Sequence, residues 1–129
     1  MDKLNVFSTK DLAKITQHRS GEIKFGEKII TVPIDENWIE FITNCEAKFV
    51  LIGLPEDIGV KANLGRTGAA TAFESTLKSL VNFQHNKFCK GHELIALGEI
   101  NFSTEMEISK TLDTTNKEDR KKLFSLVED

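Results

Sequence analysis

Two short apolar runs, one on either side of an amphipathic segment, constrain this chain more than any other feature. The first is Lys48-Phe-Val-Leu-Ile-Gly-Leu-Pro55, the second Glu93-Leu-Ile-Ala-Leu-Gly98. A continuous apolar run of strand length, closed by Gly53 and Pro55, predicts a buried parallel strand. Between the runs lies a glycine-rich loop from Pro55 to Gly68, then a segment from Ala69 to Phe83 with Ala72, Phe73, Thr76, Leu77, Leu80 and Val81 on one helical face. Residues Asn82 to His92 read as a loop. Strand, loop, helix, loop, strand is a βαβ unit, whose crossover is right-handed and whose strands are parallel. The expected fold class is therefore α/β.

The flanks add helices. Ser8 to His18 opens on an N-cap serine with Asp11 at the third helical position, and Leu12 and Ile15 share a face. The stretch Gly21 to Val32 ends in the β-branched run Ile29-Ile30-Thr31-Val32, which predicts extended structure or a hairpin, closed by Pro33. Asp35 is expected to open a second helix carrying Trp38, Ile39 and Ile42, with Phe41 beside them. Glu105 to Leu112 reads as a helix or an irregular segment. Asn116 to Val127 reads as a final helix capped by Asn116, with Leu123, Phe124 and Val127 on one side. The chain is expected to be a single unit over 1–129, divided into an N-terminal extension (1–46), the βαβ unit (47–100) and a connector with a helix (101–129).

Composition narrows the function classes. The 129 residues carry 17 Lys plus Arg against 20 Asp plus Glu, a net charge of −3 with the signs interspersed. That is no electrostatic footprint for nucleic acid. The longest apolar run, Phe49 to Leu54, is too short to span a bilayer, and no basic, then apolar, leader opens the sequence. Cys45 and Cys89 do not make a disulfide framework, so the expected compartment is the reducing cytoplasm. The nine Phe residues read as core filler rather than a base-stacking platform.

Chemistry is expected outside the carboxyl end of the first strand, where open α/β sheets bind ligands. The loop there, Pro55-Glu-Asp-Ile-Gly-Val-Lys-Ala-Asn-Leu-Gly-Arg-Thr-Gly68, offers the adjacent carboxylates Glu56 and Asp57 and the amide of Asn63. Arg66 adds a guanidinium fork suited to a carboxylate. Gly59, Gly65 and Gly68 permit close backbone approach, and the helix start near Ala69 favours an anion. The structural alternative is that Arg66 pairs with Glu56 or Asp57 and braces the loop. A nucleotide P-loop is excluded, since five residues separate Gly59 from Gly65 and an arginine follows, and no G-x-G-x-x-G pattern occurs. His85, Cys89 and His92, with Cys45 elsewhere, match no common zinc spacing. A Cys-His nucleophile pair lacks an orienting acid, and no G-x-S-x-G elbow exists. The charge run Lys117 to Lys122 reads as a solvated helix face.

The same loop resembles a known pattern. Gly53, Pro55, Asp57, Gly59 and Val60 fill a G-x-P-x-D-x-G-V stretch, and Asn63, Gly65, Arg66, Gly68 and Ala69 fill N-x-G-R-x-G-A. With Leu80, Asn82, Gln84 and the downstream Leu97-Gly98-Glu99, this is similar to the first βαβ unit of the ureohydrolases: arginases, agmatinases and formimidoylglutamases. The formimidoylglutamase-like branch is the nearest in pattern, and Lys14-Ile15-Thr16, Arg19, Gly21-Glu22 and Gly26-Glu27 resemble its N-terminal extension.

The resemblance implies a three-layer α/β/α domain around a mostly parallel sheet. It also implies hydrolysis of a guanidino or formimino carbon by a hydroxide shared between two manganese ions. The metal ligands of that family come from a glycine-glycine-x-histidine turn, an aspartate-x-histidine-x-aspartate strand end and a serine-x-aspartate-x-aspartate segment, none of which occurs here. The implied reading is the amino-terminal portion of such an enzyme, ending at Asp129 ahead of the first metal motif and inactive by itself. Glu56, Asp57, Asn63, Arg66 and Gly68 would form the substrate-side loop; no catalytic or metal-binding residue is expected, and the manganese belongs to the full-length family. Two alternatives stay open: a non-catalytic interaction module that self-associates through exposed sheet surface, and a small anion-binding protein using the 55–69 loop.

Overall fold

The computed structural model describes residues 3–128. Its elements run β1 (Leu4–Val6), α1 (Thr9–Ile15), a 3-10 turn (Phe25–Glu27), α2 (Trp38–Asn44), β2 (Phe49–Gly53), α3 (Ile58–Ala62) and a 3-10 turn (Ala69–Thr71). Then follow α4 (Ala72–Val81), a 3-10 turn (Gly91–Glu93), β3 (Leu94–Ile100), α5 (Ser103–Lys110) and α6 (Lys117–Glu128). The architecture is mixed α/β: six helices and a three-stranded mixed sheet of order β1-β3-β2 among the described residues. No described helix is long and apolar enough to cross a membrane.

The βαβ expectation holds at its centre. Strands β2 and β3 are parallel neighbours, with Phe49 opposite Leu94 and Leu51 opposite Ala96, and α4 lies between them in sequence. β3 is the interior strand. Ile95, Ala96, Leu97 and Gly98 are all buried, and both of its edges are hydrogen bonded. On its far side β1 pairs antiparallel over Leu4–Ile100 to Val6–Gly98, and Ile30 bridges Ile95 nearer its start. The β2 register slips between Leu51 and Ile52, so that β3 carries the extra residue. Gly98 sits at that slip with φ 150°, and a Cβ there would overlap the Asn5 carbonyl of β1. Only glycine lets β1 lie that close.

Two clusters of buried side chains stabilise the chain. Leu12 of α1, Leu77 and Val81 of α4, and Ala96 of β3 form the first, with Phe7, Ile15, Ile29, Leu51 and Phe73 packed around them. Ile58 and Ala62 of α3 join Leu123 of α6 in the second, covered by Met106, Leu112, Phe124 and Leu126. The amphipathic faces expected for α1, α4 and α6 supply these clusters in part: in α4 Phe73, Leu77 and Val81 pack while Ala72 and Thr76 are exposed, and in α6 Leu126 packs and Val127 stays 37% exposed.

Several expectations are corrected. β2 is not buried on both faces: it is the edge strand, and Phe49, Val50 and Ile52 are 61%, 45% and 40% exposed. Periodicity could not separate edge from centre, because both are apolar here. The 55–68 segment is not a continuous loop, since α3 lies inside it. Residues Gly21 to Val32, expected as extended structure or a hairpin, form no hairpin, and extended pairing is confined to single bridges at Lys24 and Ile30. Phe25 turns into the core, its N–H donating to the Phe83 carbonyl, and Ile30 bonds across to β3. The second helix starts at Trp38 rather than Asp35, because Asn37 is the cap: its side chain accepts from the Ile39 and Glu40 N–H groups. Helix α1 ends at Ile15 rather than His18, where Thr16 turns extended. The phenylalanines are not uniformly core: Phe25 is buried, whereas Phe83 and Phe88 are 56% and 88% exposed. Strand β1 carries no apolar alternation long enough to announce it; pairing with β3 creates it.

Candidate functional site

The loop leaving β2 is built by its own polar groups. The chain turns sharply at Pro55, with the Glu56 N–H donating to the Leu54 carbonyl at 2.8 Å. Glu56 then folds its carboxylate onto the start of α3, where Oε2 accepts from the Ile58 and Gly59 N–H groups at 2.6 and 3.2 Å. These are orphan donors of a helix start, and an anion suits them. Asp57 is buried, and its Oδ2 accepts from the Gly68 N–H at 2.7 Å, closing the whole 57–68 excursion across one bond. Gly68 sits at φ 132°, with open space where a Cβ would stand. Its backbone conformation, not crowding, requires glycine.

The far end of α3 is equally defined. Asn63 donates its side-chain amide to the Gly59 carbonyl at 3.0 Å. The Leu64 N–H donates to Lys61 and the Gly65 N–H to Val60, the paired bonds of a Schellman motif. Leu64 holds the left-handed position at φ 61° and is 63% exposed. A bulky residue there is an outlier, since glycine usually fills it.

Packing of α3 comes from outside the loop. Lys61 Nζ donates to the Ser109 carbonyl at the end of α5, and Arg120 Nε of α6 donates to the Ala62 carbonyl at 3.2 Å. The charge run on α6 is thus mostly solvated, with surface pairs Lys121–Glu118 and Lys122–Asp119, but Arg120 is a brace. Neither brace has a local sequence signal, because each joins groups about fifty residues apart or more.

Of the five loop residues picked out from sequence, four are internal fasteners. Glu56 caps α3, Asp57 and Gly68 bond each other, and Asn63 bonds back to Gly59. Arg66 differs. It is exposed and makes no hydrogen bond or ion pair among the described residues, so the alternative in which it pairs with Glu56 or Asp57 is not what forms. A guanidinium with five unused donors, on a loop where one oxygen of each acidic residue already accepts from backbone N–H groups, is suited to an incoming carboxylate. Comparison with family models, with characterised proteins and with solved structures gives no match for this chain.

The residues do not fit a manganese pair. Among the described residues no three His, Cys, Asp or Glu side chains converge. His85 and His92 do meet, with ring centroids 5.8 Å apart, but the His85 Nδ1 accepts the Gly91 N–H at 3.1 Å. Cys89 stands in a turn where Asn86 Oδ1 accepts from the Phe88 and Cys89 N–H groups, and both cysteines are free thiols. His18 instead pairs with Glu27 at 3.0 Å on the surface.

Proposed function

We propose that the 56–68 loop is the substrate-side wall of a ureohydrolase-like site. In that reading the β2–α4–β3 unit is the first crossover of a three-layer α/β/α domain. Arg66 presents its guanidinium to the carboxylate of a formimidoylglutamate-like or arginine-like molecule, while Glu56, Asp57, Asn63 and Gly68 hold the loop that carries it. The observation that supports this is the free, exposed Arg66 on a loop whose acidic neighbours are already hydrogen bonded. Hydrolysis of the amidine C–N bond would need a metal pair, and the three ligand motifs that would hold it are absent from the sequence. This chain is therefore a binding portion without turnover of its own. The same loop also supports the simpler reading of an anion-binding protein.

Two measurements test this. Titration with glutamate, followed by amide shifts, is expected to move residues 56–70 and to lose that response in Arg66→Gln with the fold intact. Shifts elsewhere, or none, would overturn carboxylate recognition. Incubation with manganese and either arginine or formimidoylglutamate is expected to release no urea or formamide above a metal-free blank. Turnover would overturn the assignment of a chain without catalysis.

A further inference from the structure

We propose that the loop from Asn86 to Lys90 is a contact for an anionic lipid surface, with the Phe88 ring entering at headgroup level and Lys28, Lys87 and Lys90 lying on the phosphates. This loop leads into the amino end of β3, whereas the 56–68 loop leaves the carboxyl end of the parallel β2. The proposal therefore does not rest on the reading of the 56–68 loop.

The starting point is a ring held in water by a loop that is tied down. Phe88 is 88% exposed, more than any other large apolar side chain among the described residues. Asn86 Oδ1 accepts from the Phe88 and Cys89 N–H groups at 2.9 and 3.0 Å, and the Asn86 N–H donates to the Cys89 carbonyl at 3.1 Å. The Gly91 N–H donates to His85 Nδ1 and closes the base. Gly91 is buried, and a Cβ there would overlap the Phe25 carbonyl and the Lys28 Cβ. The loop is thus fixed at its tip and seated at its base, and the ring it presents packs against no core. A turn that only connects α4 to β3 would be served by a polar residue there.

Charge names the class of partner. From Ser75 to His92 the sequence holds no Asp or Glu, against Lys78, Lys87 and Lys90. The seating of Gly91 brings Lys28 to the same end. The nearby acids are already engaged: Glu22 bonds Lys24, Glu27 accepts the Lys24 N–H and pairs with His18, and Glu93 bonds Lys48. Lys87 Nζ lies 4.8 Å from the centre of the Phe88 ring, so cation and ring occupy one spot.

Shape selects among anionic partners. An acidic peptide is held by a groove or a strand edge, and a single nucleic-acid strand by a groove with several stacking rings. Here one ring projects from one turn. A lipid surface needs neither groove nor register. The ring enters the interface, while lysine stems run beside it and leave their ammonium groups among the phosphates. Each such lysine is worth about fivefold in binding, so the contact is reversible and sensitive to salt.

The test is co-sedimentation of the intact chain with vesicles of equal parts phosphatidylserine and phosphatidylcholine at low salt. The wild type is expected to pellet with them and to stay in solution with phosphatidylcholine alone. It should be released in about 1 M salt, where screening shortens to about 3 Å. Phe88→Ser is expected to weaken binding roughly tenfold or more. Lys87→Gln and Lys90→Gln should each weaken it about fivefold. Helicity and melting should not change, since all three side chains are exposed in the free chain. Lys117→Gln, at the start of α6, should bind as the wild type does. Phe88→Trp should retain binding, and its added fluorescence should move to shorter wavelength on the vesicles. A wild type that stays in solution, equal binding to uncharged vesicles, Lys117→Gln as weak as Lys87→Gln, or an unshifted Phe88→Trp emission would each overturn the proposal. Capture of oligothymidylate or polyglutamate without vesicle binding would also overturn it, by assigning the surface to a different anion.

Discussion

Asp57 and Glu56 are neighbours with separate tasks, and the difference is one of reach. Glu56 is one methylene longer and turns back onto the first N–H groups of α3, whereas Asp57 is buried and holds Gly68. Gly68 is exposed, so removing its acceptor hands its N–H to water, and what is lost is a hydrogen bond to a charged group, typically worth about 1.5–3 kcal/mol. Asp57→Ala is expected to destabilise the fold by that amount in urea denaturation and to loosen the loop before Ala69. A loss within error of zero would mean that Gly68 finds water at no cost. Arg66→Gln, by contrast, removes no internal bond, and stability is expected to stay within about 0.5 kcal/mol of wild type.

At the scale of elements, the short helices are defined by their ends. α1 opens on a capping box, with the Ser8 hydroxyl and N–H both donating to Asp11 Oδ2, at 2.6 and 2.9 Å. The Ser8 hydroxyl, and then its backbone N–H, hold the Asp11 carboxyl below its ordinary value. A carboxylate depressed on folding contributes stability that is present above its unfolded value, near 3.9, and is lost as pH falls through the folded value. Ser8→Ala is therefore expected to cost about 1 kcal/mol at neutral pH. The cost should shrink as pH falls through the folded value of Asp11, as measured by denaturation at a series of pH values. An equal loss throughout would show that the carboxylate is not involved. α3 ends on Leu64 in a left-handed conformation with most of its side chain in water. Leu64→Gly relieves that strain at the entropic cost of a glycine, and a net gain of roughly 0.5–1 kcal/mol is expected in thermal melts. A loss would indicate that the exposed Leu64 makes a contact outside this chain's own core.

At the scale of the whole molecule, the two clusters share no buried residue. α1, α4 and β3 build one, and α3, α5 and α6 build the other. Leu123 is fully buried at the centre of the second, and Leu123→Ala is expected to cost about 2–5 kcal/mol. Hydrogen exchange should then speed up in α3, α5 and α6 while β3 and α4 keep their protection. Uniform loss of protection would show one cooperative core instead. The loop that carries Arg66 runs from the sheet to α4 by way of α3, so weakening the second cluster should also blunt the response of residues 56–70 to glutamate.

The sequence by itself determined three of the helices and the two strands of the crossover. Ser8 with Asp11 marked α1, Asn116 marked α6, and the apolar face of Ala69 to Phe83 marked α4, because caps and helical periodicity are short-range. It also marked β2 and β3 as strands, and their parallel pairing follows from the helix between them. Tertiary structure alone decided which strand lies inside. Val50 and Ile52 read like Ile95 and Leu97, yet only β3 has neighbours on both edges, and burial comes from those neighbours rather than from composition. It alone made β1 a strand, since three residues gain their pairing only by lying against Gly98. The loop divided in the same way. Its polar residues were legible as a group, but the carboxylates became internal fasteners and Arg66 stayed free. Which donor meets which acceptor across eleven residues of chain, or fifty, is set by how α3 docks on α5 and α6, and no spacing rule carries that distance.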